Sequence, residues 1–193
     1  MAITPAISIG ELALRAASAH ESVPERPEIE REVIELFDQN RNSLLRYALS
    51  FGLPAHDGEE VAQETFLALF RHLQMGKSRK NLRGWIFRVA HNLALRKREC
   101  NQRAAAQTES HENRAVELID PGLNPEERVL FSQRQQRLMA IVQALPEQDR
   151  CCLDLRAEGL RYREIAAVLG MSLGAVSMSL SRSLARLIVE EQR

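Results

Sequence analysis

Aromatic residues are scarce: six Phe, two Tyr and one Trp make up 5% of the 193 residues. Clusters of β-branched residues are scarce too, so little here favours a sheet. Cysteine is limited to Cys100, Cys151 and Cys152. An odd number with an adjacent pair is neither a disulfide framework nor a C-x-x-C metal motif, and it reads as reduced thiols in the cytoplasm. The Cys151–Cys152 pair is expected to be buried in a helix rather than redox-active. No apolar run approaches the ~20 residues of a membrane span. The N-terminus lacks the basic patch and apolar core of a secretory signal. The expectation is a cytoplasmic protein with no membrane insertion. No histidine–carboxylate–nucleophile arrangement, Gly-rich phosphate loop or metal-ligand spacing is visible. Glu59, Glu60 and Glu64 are read as having no histidine at helical spacing. These absences exclude an enzyme and leave no catalytic residue, cofactor or metal to expect. Net charge is absent as well, since 26 Lys and Arg balance 26 Asp and Glu.

What is present is Ala, Leu, Arg and Glu, which are strong helix formers, and charge sorted into blocks. From Lys77 to Arg103 there are nine Lys or Arg against one acid, a local net of +8. From Ala104 to Arg128 six acids stand against two Arg, a net of −4. A block of one sign is an electrostatic footprint.

The basic block centres on Asn81–Arg98, which reads as one helix with Asn81 as its cap. Leu82, Ile86, Val89, Ala90 and Leu93 share one stripe, with Trp85 at its edge. Phe87, Arg88, His91, Leu95 and Arg98 face the other way. That face mixes cations with an aromatic, a combination suited to phosphates and unstacked bases. Phe87 has a second reading, packing against the first helix, and Asn92 has one too, bonding within its own domain.

Along the chain, 1–28 reads as a mostly disordered leader with Pro5, Pro24 and Pro27. Glu30–Phe51 keeps a helical period through Val33, Leu36, Phe37, Leu44, Leu45, Ala48 and Leu49, stopped by Gly52 and Pro54. Asp57 is expected to cap the next helix, with Glu60 three residues on, and that helix ends near Gln74. Periodicity is lost after Glu99, and Asp120-Pro-Gly and Asn124-Pro mark turns. Residues 102–124 therefore read as a flexible linker between a domain at 29–101 and another at 125–193. Glu126–Leu145 and Glu147–Glu158 read as helices, broken at Pro146 and closed by Gly159. The fold class expected is all-α: two small helical domains, the second containing a helix-turn-helix.

That motif spans Tyr162 to Leu180. Ile165, Leu169, Met171 and Val176 hold its core, Ala166 is small at the crossing, Gly170 makes the turn and Ser172 caps the second helix. Leu180, Leu184 and Leu187 continue that helix inward. Gly174, Ala175, Ser177 and Met178, then Arg182 and Arg186, face solvent.

Three pieces, in order and separated by a linker, resemble the extracytoplasmic-function (ECF) class of bacterial RNA polymerase sigma factors. They are Asp57–Phe70 (DGEEVAQETFLALF), Leu82–Ala94 (LRGWIFRVAHNLA), and Leu145-Pro-Glu-Gln-Asp-Arg through Leu187. The resemblance covers about Glu30 to Leu187. It implies a dissociable initiation subunit that binds RNA polymerase core at its clamp helices and flap and helps open promoter DNA. It implies polymerase contacts by Asp57, Glu60, Gln63, Glu64 and Leu67. It places Lys77, Ser78, Arg79, Lys80, Arg88, His91, Asn92, Arg96 and Lys97 at the minus-ten element, with an extruded base read by the loop. It places Ser172, Gly174, Ala175, Ser177, Met178 and Arg182 in the major groove at the minus-thirty-five element. It also implies an anti-sigma protein as partner. The sequence departs from the family where many members have Lys-Ser-Arg and this chain has Ser177-Met178-Ser179. Each lost charge lowers the salt slope by about one, and Met178 offers a surface for a thymine methyl. The competing reading is a stand-alone helix-turn-helix regulator, which leaves the first basic block idle.

Overall fold

The computed structural model describes residues 26–107 and 136–191. The described residues form seven helices and no strand. We label them α1 (Arg26–Leu49), α2 (Ala55–Gln74), α3 (Leu82–Gln107), α4 (136–143), α5 (Glu147–Ala157), α6 (Tyr162–Leu169) and α7 (Leu173–Glu191).

Helix α1 starts four residues before the expected Glu30 and takes in the end of the expected leader. Pro27 and Glu28 lie in its first turn, where proline forfeits no helical bond and an acid meets the positive end of the dipole. Residues 1–25 lie outside the described residues. Helix α1 stops at Gly52, whose φ of 77° is left-handed.

Helix α2 does not start as expected. Its N-cap is Pro54, with no side-chain cap, and Asp57 is buried in the first turn. Proline at the boundary sets the start, and Asp57 is left to bond across to α3. Val61, Ala62, Phe66, Leu69 and Leu73 bury one face. At Gly58 a Cβ would lie 3.0 Å from a Leu45 methyl, so α1 and α2 approach closely there.

Helix α3 does start as expected. Asn81 takes a φ of 54° and its Oδ1 accepts from the Gly84 amide at 3.1 Å. Ile86, Phe87, Ala90 and Ala94 are fully buried, and burial of each large side chain stabilises the fold by roughly 1.5–3 kcal/mol. The helix then runs on to Gln107, into the expected linker. Gln102–Ala106 are mostly exposed, so composition rather than an apolar stripe keeps them helical. The rest of that linker, 108–124, and residues 126–135 of the expected next helix lie outside the described residues.

Helix α5 closes at Gly159 (φ 85°) and α6 at Gly170 (φ 65°). The axes of α6 and α7 meet at 105°, within the helix-turn-helix range. The Ser172 hydroxyl accepts from the Ala175 amide at 3.1 Å, the cap read from the sequence. The buried stripe of α7 is Val176, Ser179, Leu180 and Ser183. Leu184 falls at the edge of that stripe and is 47% exposed, against the expectation that it points inward. Two serines take the inward positions instead. Ser179 donates to Asp149 at 2.7 Å and Ser183 to the Ser179 carbonyl at 2.9 Å.

Helix α6 packs on α3, and a single hydrophobic cluster runs from α1–α3 into α5–α7. No single helix among the described residues is long and apolar enough to cross a membrane.

Candidate nucleic-acid interface

The loop between α2 and α3 presents Lys77, Ser78, Arg79 and Lys80, all exposed. It is braced rather than loose. His72 bonds the Ser78 carbonyl at 3.0 Å, the Ser78 hydroxyl accepts from the Lys80 amide at 3.3 Å, and Arg79 pairs with Glu32 of α1 at 3.0 Å. The His72 ring lies 4.6 Å from that of Trp85, which is half-buried at the edge of the core. Lys77 and Lys80 make no ion pair among the described residues.

On α3 the expected face splits. Arg88, Asn92 and Arg96 stand one turn apart and are exposed, forming a single open stripe. Lys97 pairs with Glu60 at 2.5 Å and lies 3.5 Å from Asp57. Phe87 is wholly buried beside Tyr47, and the Arg83 guanidinium lies 6.0 Å from the centre of its ring. His91 is half-buried and shares a 2.8 Å hydrogen bond with the Tyr47 hydroxyl through Nδ1. Burial lowers its pKa, Glu147 of α5 raises it and Arg98 lowers it. The Phe87–His91–Arg98 side is therefore not an open reading face in this arrangement, because α5 and α6 lie against it.

The expected polymerase-contact residues also divide. Gln63, Glu64 and Leu67 are exposed on one face of α2, Leu67 by 56%. Glu60 is half-buried against Lys97. Asp57 is not a surface contact: it is 4% exposed and accepts from Asn101 at 2.6 Å. The unexpected length of α3 brings Asn101 over it. A groove of about 290 Å³ between α2 and α3 is lined by Glu60, Val61, Glu64, Leu93, Arg96, Lys97 and Cys100. It places two of the expected DNA contacts beside two of the expected polymerase contacts.

Contrary to the expectation from the sequence, a histidine does lie at helical spacing from the α2 carboxylates. His56, Asp57 and Glu60 bring one ligand atom each within 4.8 Å of one another, and His56 is one turn before Glu60. Lys97 and Asn101 already occupy these carboxylates, so a cation would have to displace an ammonium.

In the helix-turn-helix, Gly174, Ser177 and Met178 are exposed at the start of α7, Met178 by 65%. Ala175 is half-buried. Arg182 is largely exposed but its guanidinium is drawn 3.1 Å from buried Asp149. Arg46 and Arg83, which sequence reasoning did not single out, and Arg98, which it placed on the cationic face of α3, complete the picture. Arg46 clasps the Glu158 carboxylate at 2.8 and 2.6 Å, Arg83 donates to the Glu158 carbonyl at 2.5 Å, and Arg98 pairs with Glu147 at 2.5 Å. The partners lie far along the chain, so no local pattern signals these pairings.

Residues 36–104 match the family model for sigma-70 region 2, and 135–187 match that for sigma-70 region 4. The ECF RNA polymerase sigma factor SigE of Mycolicibacterium smegmatis is 34% identical over 151 residues, 77% of this chain and 57% of that protein. The ECF RNA polymerase sigma-E factor of Escherichia coli K12 is 29% identical over 140 residues, 68% of this chain and 72% of that protein. A probable RNA polymerase sigma factor, RfaY of Xanthomonas campestris, is 27% identical, with 36% of its length matched. The chain thus spans from about a third to just over half of the length of two of these relatives. Among solved structures, the sigma factor RpoE in complex with the anti-sigma factor NepR from Bartonella quintana aligns with a TM-score of 0.65 at 18% identity, over 84% of this chain and 98% of that one. CnrH in complex with the cytosolic domain of CnrY aligns at 0.55 and 24% identity, over 93% and 94%. Both carry the same all-helical fold.

Proposed function

Because this chain belongs to the ECF class of RNA polymerase sigma factors, we propose that it is a cytoplasmic initiation subunit that binds RNA polymerase core, engages a promoter and helps open it. Residues 29–101 form the polymerase-binding and minus-ten domain, and 125–193 form the minus-thirty-five domain. The observation that carries this reading is the open stripe Arg88–Asn92–Arg96 beside the braced, cationic loop Lys77–Lys80. Phosphates of a separated strand are neutralised by the stripe, and the loop offers a rigid rim for an unstacked base. The start of α7 enters the major groove with Gly174, Ser177 and Met178, an apolar and uncharged tip suited to thymine methyls. Gln63, Glu64 and Leu67 on α2 dock on the polymerase clamp, and the second domain reaches the flap. The polymerase performs the chemistry, so the chain needs no catalytic residue. An anti-sigma protein is a further partner, a reading supported by the fold shared with RpoE and CnrH, both solved in complexes.

The test is reconstitution of the purified chain with core polymerase on genomic promoter fragments. Promoter-specific transcripts are expected, and Arg88→Ala with Arg96→Ala should reduce open complexes about tenfold at moderate salt and flatten the salt slope by about two. No initiation above core alone refutes the proposal. Specific duplex binding without polymerase, with no gain on adding core, would favour a stand-alone regulator instead.

A further inference from the structure

We infer that Arg46, Arg83 and Arg98 form a second phosphate-binding surface for promoter DNA, held shut in this arrangement by the Glu158 and Glu147 carboxylates, which stand in for phosphates on Arg46 and Arg98, and by the Glu158 main-chain carbonyl on Arg83. The inference rests on the initiation-factor reading and extends it to residues outside the open stripe. All three arginines project from α1 and α3, and each meets an acceptor from the end or start of α5, between 49 and 112 positions along the chain. Arg46 holds Glu158 through two parallel donors, the geometry in which a guanidinium also takes a phosphate.

Two features distinguish this contact from an ordinary structural seam. First, two of the arginines lie over aromatic rings: Arg83 stands 6.0 Å from the Phe87 centroid and Arg98 stands 5.7 Å from the Phe51 centroid. Arginine over an aromatic face is a surface for bases and phosphates together once it is uncovered. Second, the closed contact leaves Arg98 under-used, because its buried Nε–H has no acceptor. One carboxylate oxygen serves Arg98, whereas a phosphate oxygen cluster offers more acceptors. Arg83 and Arg98 sit on the same helix as Arg88 and Arg96 but on its covered side, so opening would add a second phosphate surface beside the open stripe rather than lengthen it. Each pair of the clasp has one member open to water and salt, Arg46 at 56% and Glu147 at 51% exposed, and one largely covered, Glu158 at 10% and Arg98 at 23%.

The experiment uses the full chain without polymerase and a short fluorescein-labelled single-stranded oligonucleotide, read by anisotropy. E147Q/E158Q is compared with E35Q/D38N, which removes the same charge from exposed positions of α1. E147Q/E158Q should bind about five- to tenfold tighter than E35Q/D38N, with a salt slope steeper by about two. Adding R46A/R83A/R98A should abolish that gain. E158Q alone, at a helix end, should give a smaller gain of the same sign and guards against misfolding of the double variant. Equal affinity of E147Q/E158Q and E35Q/D38N, or a gain that survives the three alanines, overturns the inference. Initiation by the wild-type chain with core polymerase is scored separately. Its absence refutes the initiation role, whereas its presence with no difference between the two neutralised variants refutes this surface alone.

Discussion

His91 is half-buried and shares its Nδ1 hydrogen bond with the Tyr47 hydroxyl, a group that can donate or accept, so its surroundings penalise the imidazolium through burial rather than through that bond. Burial pushes the Tyr47 phenol well up, so its hydroxyl stays protonated throughout the neutral range. Burial lowers the His91 pKa below its ordinary 6.5, with Glu147 opposing and Arg98 reinforcing the shift. The folded chain therefore binds fewer protons at His91 than the unfolded chain. Stability from this group is full above the unfolded value and is lost as pH falls toward the folded one. The buried carboxyl of Asp154 acts in the opposite sense. Burial raises its pKa, so its contribution is full at low pH and is lost as pH rises through the folded value. Urea unfolding of wild type and His91→Gln between about pH 7.5 and about pH 5.5 separates the two. The acid-side loss of stability should be smaller in His91→Gln, and equal losses would show that His91 is not the sensor. The same desolvation pushes the Cys151 thiol up to about 11, so it is not a ready thiolate, and the adjacent cysteines are buried as the sequence suggested. Asp57 was misread because a cap and a buried acceptor share the same side chain. What decides between them is Asn101, supplied by a distant turn of α3.

At the scale of the element, α3 depends on how it begins. Asn81 carries the one left-handed backbone among the described non-glycine residues and caps the helix at the same time. Asn81→Ala loses both tolerances, about 1–2 kcal/mol for the strained backbone and about 1 kcal/mol for the cap. Asn81→Gly loses the cap but relieves the backbone, so it should cost less. Gly84→Ala would drive a methyl into the Asn81 amide, 2.5 Å from where its Cβ would stand, and should undo the same cap. Urea midpoints should rank wild type above Asn81→Gly and Asn81→Gly above Asn81→Ala; the reverse order of the two variants would show that the φ of 54° is not under strain. This start was legible because a cap is local, and so were Gly170 and Ser172 of the helix-turn-helix. The far end was not. Gln102–Ala106 shows no apolar period because little covers it, and an exposed helix is written only in its propensities. The inward side of α7 was partly hidden for a different reason: Ser179 and Ser183 look like surface residues until Asp149 is placed beside them.

Across the whole molecule, the open question is how tightly α5–α7 are joined to α1–α3. Ion pairs such as Arg46–Glu158, with Arg46 56% exposed and Glu158 10% exposed, are open to solvent on one side and weaken with salt. The hydrophobic cluster, which runs through both groups of helices, does not weaken with salt in the same way. The joint is therefore partly ionic and partly apolar, and this long-range pairing is what the sequence could not display. It explains why the basic face expected on α3 divides into an open stripe and a covered side. The single Trp85 lies in α3 and reports on the first group alone, whereas helical circular dichroism reports on both. Leu180 is 1% exposed on α7, which packs on α5 and α6. Leu180→Ala should cost about 2–5 kcal/mol through the cavity it leaves. If the two groups unfold as a coupled unit, the Trp85 urea midpoint should fall together with the circular dichroism midpoint at low salt. At high salt the Trp85 midpoint should become less sensitive to the substitution, since the ionic share of the joint is screened. A Trp85 midpoint unmoved by Leu180→Ala at low salt would show that the groups unfold independently and that the contact between them carries little free energy.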